Sequence, residues 1–152
     1  MHPLHGIGTV EEIEEKNILG QTSRFSVIHF DKDRLRIMVN LDQKTNLIRG
    51  LIRRDEVNKI LDYMKKSNAS LPARASERYN LNLKKIKSAD IYKMAEVIRD
   101  LTDLNRQKKL SRKEQTMLKQ AKKIFCSEVS FVREISEEEA EALVDQTVKE
   151  GT

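Results

Sequence analysis

The sequence predicts an α+β protein, with a small antiparallel β-domain followed by a compact all-α domain of four to five helices. Over parts of the first 54 residues apolar and polar side chains alternate, and from residue 55 the apolar residues recur at helical spacing. The chain has only two prolines and five glycines among 152 residues, so regular structure should occupy most of it. We expect the β-domain at 1–54, a helix at 55–66, a linker at 67–75 and the helical domain at 76–152.

Short alternating stretches separated by turn residues predict the β-domain. Residues 35–40 alternate apolar and polar side chains, which is typical of a half-buried strand. Residues 25–30 are apolar on parts of both faces, and turns are expected at 17–21 and 31–33. Three or four short strands should therefore form a small sheet or a partly open barrel.

Apolar stripes and capping signals predict the helical half. The apolar residues at 57, 60, 61 and 64 share one helix face, and a longer stripe extends from Ile91 to Leu101. Ser88 and Asp90 are candidate N-caps for the helix that carries this stripe. Serine precedes glutamate by three positions at 111–114 and at 136–139, which predicts two capping boxes.

Charge is distributed unevenly along a chain whose net charge is +5. Residues 74–125 carry 15 basic and 6 acidic side chains, whereas residues 126–152 carry 2 basic and 8 acidic ones. A basic block of this size suits a surface that faces nucleic-acid phosphates. Lysine-rich solvated helices would explain the same charges without a ligand, so charge alone leaves both interpretations open.

No pattern of residues predicts catalysis, a metal site or a cofactor. His2 and His5 lie three positions apart, but no further ligand at suitable spacing follows, so a turn-lining role is favoured. Gly6-Ile7-Gly8 is not followed by Lys-Ser or Lys-Thr, and a tight turn is expected there instead of a phosphate loop. Cys126, the single cysteine, should be a buried structural thiol. We expect a soluble cytoplasmic protein, because no membrane span or signal peptide is evident.

Five stretches of the sequence match motifs that occur in the same order in one known family. They are Pro3–Glu14 (P-x-H-G-x-G-x-V-x-x-I-E), Ile37–Val39 (I-M-V), Arg78–Ser88 (R-Y-x-x-N-L-x-K-I-x-S), Ala95–Leu101 (A-E-V-I-R-D-L) and Leu110–Leu118 (L-S-x-x-E-x-x-M-L). On these residues the chain resembles the CarD family of bacterial transcription regulators over nearly its whole length.

This resemblance implies a fold and a function. The N-terminal part would be a Tudor-like polymerase-interacting domain, similar to that of the transcription-repair coupling factor, and would bind the β-subunit lobe of RNA polymerase. The helical domain would contact promoter DNA, through its phosphates and minor groove and without sequence specificity, at the upstream edge of the melted region. The protein would thereby modulate open-complex stability, as a monomer and without a catalytic residue, metal or cofactor.

The residues expected to make these contacts follow from the resemblance and from the charge pattern. Candidate polymerase contacts, on or near exposed strand positions, are Lys16, Arg34, Arg36 and Met38. Candidate DNA contacts are cations of the basic block and one position at which relatives carry a wedge: Arg74, Ala75, Arg78, Lys84, Lys85, Lys87 and Lys119. Any of them could instead be an ordinary solvated residue, whereas Arg99 is expected to pair with a carboxylate inside the helical domain.

Three departures from the family pattern support a second hypothesis. Ala75 stands where family members usually place a tryptophan wedge against the minor groove. Glu77, Asn80 and Gln115 replace basic residues that many members carry. The usual strand before Pro3 is absent, so the sheet would be one strand short and would leave an edge for a partner. The alternative is therefore a polymerase-binding interaction module that has lost DNA binding.

Overall fold

The computed structural model of this chain describes residues 1–42, 48–66 and 71–150. These residues form a three-stranded antiparallel sheet followed by five helices, which confirms the predicted α+β architecture. The strands are β1 (Thr9–Ile18), β2 (Gln21–Phe30) and β3 (Leu35–Asn40), and the helices are α1 (Glu56–Met64), α2 (Ala75–Lys87), α3 (Ile91–Gln107), α4 (Arg112–Arg133) and α5 (Glu137–Glu150). Part of the predicted linker, 67–70, lies outside the described residues.

Two tight turns connect the strands in the order β1-β2-β3. Ile18 pairs with Gln21, so the first turn contains only Leu19 and Gly20, whose φ angles are 52° and 80°. Positive φ at both central residues is the turn geometry that matches the twist of a hairpin, and glycine adopts it without strain. The second turn occupies residues 31–34 and ends at Arg34, whose φ is 50°. Both predicted turns are confirmed.

The N-terminal turn lies tightly against one face of the sheet. That face has its own small core, in which Ile28, Phe30 and Val39 are buried. A side-chain carbon added to Gly8 would lie 2.6 Å from Ile28 Cγ2 and from Phe30 Cε1, closer than real contacts allow. Glycine is therefore required here for close approach, whereas Gly6, with φ of 77°, is required for the turn itself.

The helix boundaries follow most of the predicted capping signals. Asp90 caps α3, because its carboxylate accepts a hydrogen bond from the amide of Tyr92. Ser111 and Glu114 form the predicted capping box at the start of α4, with both reciprocal bonds present. Ser88 was wrong as an N-cap: it is the C-cap of α2, where its hydroxyl donates to a carbonyl of the last turn.

Helix α1 packs into the helical domain and not against the sheet. Its four buried residues, Val57, Ile60, Leu61 and Met64, belong to one core with the buried faces of α3, α4 and α5. Burying such a stripe stabilises the fold by roughly 25 cal/mol for each Å² of apolar surface removed from water. The helix predicted after the β-domain is therefore structurally the first helix of the helical domain.

Cys126 is buried in α4, as predicted for a structural thiol. Burial raises its pKa to about 12, so the thiol stays protonated at neutral pH and is a poor nucleophile. Within the described part of the chain, no helix has both the length and the apolar character needed to cross a membrane.

Candidate interaction surfaces

Three of the four candidate polymerase contacts share one face of the sheet. The strand register places Lys16, Arg36 and Met38 on the face that carries Val27, opposite the small core. Met38 is 46% exposed at this surface. Arg34 lies in the turn between β2 and β3, at one end of the same sheet. The structure therefore groups the predicted strand residues and leaves them accessible.

The two cations of this face make only exposed ion pairs. Arg36 Nε lies 3.3 Å from Glu11 Oε2, and Lys16 Nζ lies 3.8 Å from Glu14 Oε2. Ion pairs in such positions stabilise a fold by less than about 1 kcal/mol. A carboxylate on a partner could therefore replace these internal carboxylates at little cost in stability.

The edge strand β1 exposes apolar side chains that the sequence analysis did not select. Val10 is 57% exposed and Ile13 is 63% exposed, and both belong to β1, one of the two edges of the sheet. Exposed apolar residues on an edge strand are typical of a surface that receives another chain. Val10, Ile13 and the charges around them predict a strand, although Glu11-Glu12 breaks strict alternation. Such a pattern does not tell which faces of the strand remain uncovered.

The outer side of α2 presents three of the predicted DNA contacts to solvent. Arg74, in extended conformation at the N-cap of α2, is exposed, as are Lys84 and Lys87. Ala75 is half-buried at the first position of the same helix. By helical periodicity, Lys84 lies on the side of α2 opposite the buried Ile86, whereas Ala75 lies on the same side as Ile86. We call the three exposed cations, Arg74, Lys84 and Lys87, the α2 surface.

Arg78 does not belong to the α2 surface. Its guanidinium is buried and donates from Nε and Nη2 to the two carboxylate oxygens of Glu114, each at 3.0 Å. Nη1 donates to the carbonyl of Ala73 at 2.6 Å. Hydrogen bonding to Glu114 raises the pKa of Arg78. The structure thus assigns this cation to an internal ion pair that ties α2 to α4, contrary to the expected phosphate contact.

Lys85 is also engaged inside the helical domain. Its ammonium lies 3.1 Å from Glu96 Oε2, and only 21% of the side chain is exposed. The hydroxyl of Tyr63 donates to the same carboxylate. Burial alone would raise the pKa of Glu96, but these two donors outweigh it and lower the pKa. Lys85 therefore joins α2 to α3 and is not a free cation, contrary to the expectation.

Lys119 lies on a different side of α4 from the α2 surface. Together with Lys123 and Glu141, it lines a groove of about 490 Å³. In this groove Lys122 pairs with Glu141 and with Asp145. The structure therefore does not bring Lys119 together with the cations of α2. Arg99, in contrast, pairs with Asp100 at 2.9 Å inside the helical domain, as predicted.

A buried carboxylate that the sequence analysis missed joins the two halves of the protein. Glu128 of α4 is fully buried and accepts two hydrogen bonds from the guanidinium of Arg49, at 2.6 and 2.7 Å. It also accepts one from the amide of Ile52 at 3.0 Å. A glutamate on the apolar face of α4, next to Phe125 and Val129, was the signal that could have revealed this pair.

The N-terminal histidines line a turn, as favoured by the sequence. Their rings lie 4.6 Å apart, and both pack near the ring of Phe30. His2 Nδ1 accepts a hydrogen bond from the amide of Leu4, and His5 Nδ1 lies 2.8 Å from Asp33. Burial and the neighbouring His5 lower the pKa of His2. Among the described residues there is no group of three side chains that could hold a metal.

Comparison with known proteins gives matches over both halves of the chain. The family model described as "CarD-like/TRCF RID domain" matches residues 1–52, and the model described as "CarD, C-terminal domain" matches residues 59–145. The chain is also similar to the protein named "Putative transcription factor YdeB" from Bacillus subtilis (strain 168). The two are 29% identical over 143 residues, which cover 91% of this chain and 92% of the relative.

Proposed function

Because this chain belongs to the CarD family of transcription regulators, we propose that it binds RNA polymerase through its sheet and promoter DNA through its helical domain. The observation that carries the proposal is the match of two family models, in order, over 1–52 and 59–145. The proposed contact lies at the upstream edge of the melted region, where it changes open-complex stability. The protein acts by binding alone, without catalysis.

The outward face of the sheet is the proposed dock for the β-subunit lobe of RNA polymerase. Lys16, Arg36 and Met38 supply an apolar side chain between two exposed cations, and Arg34 extends the surface at the turn. A partner with carboxylates around an apolar centre would complement this face.

The α2 surface is the proposed DNA contact. Arg74, Lys84 and Lys87 are exposed, whereas Arg78 and Lys85 hold the fold together and are left out of the proposal. Three phosphate contacts give weak affinity alone, but docking on polymerase raises the effective concentration of DNA near this helix. Sequence specificity is not required for such a role.

Capture of RNA polymerase by the full-length protein tests the proposed dock. We expect the double variant Arg36→Glu with Met38→Asp to retain much less polymerase, because it reverses a charge and removes the apolar contact. Lys59→Glu is the matched control, since Lys59 is an exposed lysine of α1 far from the sheet in sequence. Equal capture by wild type and the double variant would exclude this face as the dock.

Titration against forked promoter DNA at several salt concentrations tests the DNA contact. Each phosphate contact contributes about 0.9 to the slope of log affinity against log salt. Replacing Arg74, Lys84 and Lys87 together by alanine should therefore reduce the slope by roughly 2 to 3. Lys119→Ala should reduce it by about 1 only if the duplex also reaches that side of α4.

A polymerase-binding module without DNA contact is the second candidate. Two observations favour it: Ala75 replaces the expected wedge, and both Arg78 and Lys85 are paired with glutamates. Under this hypothesis the protein still binds polymerase, but its affinity for DNA is weak and changes little with salt. The same titration therefore separates the two candidates.

A further inference from the structure

A mainly apolar groove separates α2 from α4 on the side away from the internal ion pairs. It encloses about 370 Å³ and opens to solvent. Its floor and walls come from α2, from α4 and from the N-terminal turn, and include Leu83, Ile86, Met117, Ala121, Ile124 and Leu4. Leu4 is 46% exposed, so the N-terminal turn contributes apolar surface to the groove in addition to that of the two helices.

The rim of this groove is positively charged. Arg112 and Lys113 occupy the first two positions of α4, where the unpaired amides of the helix start add positive potential. Both side chains are exposed, and neither makes an ion pair within the described ranges. No acidic residue lines the groove in the part of the chain that the structure describes. An occupant with negative charge beside apolar groups would complement this arrangement.

A peptide fits these features better than a nucleic acid does. A base would need a free aromatic face, but Tyr79 is half-buried and the ammonium of Lys113 lies 5.6 Å from its ring centroid. The aliphatic floor suits leucine, isoleucine or phenylalanine side chains. Thr116 and Gln120, both exposed at the groove, can hydrogen-bond a peptide main chain.

We propose that this groove is a docking site for a short segment of a partner protein in which aliphatic or aromatic residues stand next to aspartate or glutamate. Apolar side chains occupy the floor, and the acidic groups pair with Arg112 and Lys113. The site is distinct from the outward face of the sheet and from the α2 surface. It therefore does not depend on polymerase or DNA binding.

Selection from a random library of displayed 12-residue peptides, with the full-length protein as bait, tests the proposal. We expect enriched peptides to combine leucine, isoleucine or phenylalanine with acidic residues. Affinities of the synthesised peptides are then measured by fluorescence anisotropy against three proteins. Gln120→Trp, which fills the groove, and the double variant Arg112→Glu with Lys113→Glu should each weaken binding about tenfold or more.

Two control variants make the same kinds of substitution at Lys59, an exposed residue of α1 that does not line the groove. Lys59→Trp adds the same bulk and Lys59→Glu reverses a charge, and both should bind the peptides like wild type. Thermal unfolding checks that all variants remain folded. If Gln120→Trp unfolds, Thr116→Trp fills the same groove in its place.

Three results would overturn the proposal. The first is binding that Gln120→Trp and the charge reversal leave unchanged. The second is binding of single-stranded DNA by the wild type that Gln120→Trp abolishes, which would assign the groove to nucleic acid. The third is a dimer of the wild type that Gln120→Trp abolishes, since the acidic start of α5 at Glu137–Glu139 would then be the occupant from a second copy.

Discussion

Arg78 and Lys84 are both cations of α2, yet they serve opposite purposes in this protein. Lys84 extends into solvent, whereas Arg78 is buried and shares two hydrogen bonds with Glu114. The sequence supplies the charge and the helical spacing of both residues. It does not supply the partner of Arg78, because Glu114 lies 36 positions away on another helix. Matching a family motif therefore indicates that a residue matters, without telling whether it acts on the fold or on a ligand.

Removing the charge of Glu114 should destabilise the protein strongly. Glu114→Gln leaves the Arg78 guanidinium buried without a countercharge, and breaking a buried pair in this way costs about 3 kcal/mol or more. Arg53→Met, which removes an exposed pair with Glu56, should cost less than about 1 kcal/mol. Urea unfolding followed by circular dichroism measures both. Equal small losses would show that the pair contributes no more than a surface contact.

The contribution of Glu114 should also depend on pH. Burial alone would raise its pKa above the ordinary 4.5, but hydrogen bonds from Arg78 and Ser111 outweigh burial and lower the pKa. A carboxyl group with a depressed folded pKa stabilises the fold above its unfolded pKa, and this stability is lost as pH falls through the folded pKa. The stability difference between wild type and Glu114→Gln should therefore be largest near pH 7 and shrink below about pH 4.5. A difference that stays constant down to pH 3 would contradict this assignment.

A wedge restored at Ala75 tests whether the start of α2 faces DNA. Ala75→Trp should lengthen the lifetime of the open complex if the start of α2 lies against the minor groove, because an inserted aromatic ring stabilises unstacked base steps. Lys59→Trp adds the same ring at an exposed position of α1 and is the matched control. Lifetimes are measured by competitor challenge of preformed complexes. An unchanged lifetime in Ala75→Trp would mean that the start of α2 points away from DNA.

Among the secondary-structure elements, those defined by short-range chemistry could be predicted from the sequence. The β1–β2 hairpin needs a glycine in its turn, and α4 needs a capping box, so both signals are local. The capping box predicted at Ser136 is present only in part. The Ser136 hydroxyl accepts a hydrogen bond from the amide of Glu139. The Glu139 carboxylate, however, accepts from that hydroxyl instead of from a backbone amide. The position of α1 could not be predicted, because its apolar stripe would suit either core.

Gly8 should be sensitive to the smallest possible substitution. Gly8→Ala places a methyl group within 2.6 Å of Ile28 and Phe30, so the N-terminal turn must move away from the sheet. Overpacking of this kind costs about 1–3 kcal/mol. Gly50→Ala is the control, since a side chain there meets nothing within 4 Å. Urea unfolding compares the two, and equal stability would show that the turn can shift freely.

At the scale of the whole molecule, a long-range ion pair joins the segment that follows the sheet to α4. Arg49 follows the sheet and Glu128 lies 79 positions later, so neither hydrophobic periodicity nor capping rules could connect them. Their bidentate contact, with the amide of Ile52 as a third donor, fixes the segment that leads from the β-domain into α1. If the sheet docks on polymerase, this segment determines where the α2 surface points.

Breaking this junction should uncouple the two halves. Glu128→Gln brings an amide donor against the guanidinium of Arg49, so at least one of the three bonds is lost. The guanidinium also loses its countercharge, but because its side chain is 24% exposed we expect the cost to stay below about 3 kcal/mol. All three tyrosines, Tyr63, Tyr79 and Tyr92, belong to α1–α3 and report on the helical domain. The chain has no tryptophan, so Phe25→Trp gives a separate reporter for the sheet.

In the Phe25→Trp background the two reporters should give coincident urea transitions, as a cooperative unit requires. Adding Glu128→Gln should move the tryptophan transition to lower urea than the tyrosine transition, because the sheet has the smaller core and loses its anchor on α4. Adding Arg36→Met, which removes an exposed pair within the sheet, should leave the two transitions together. Transitions that shift equally in Glu128→Gln would mean that apolar packing of Met1 and Ile52, and not the buried ion pair, holds the halves in register.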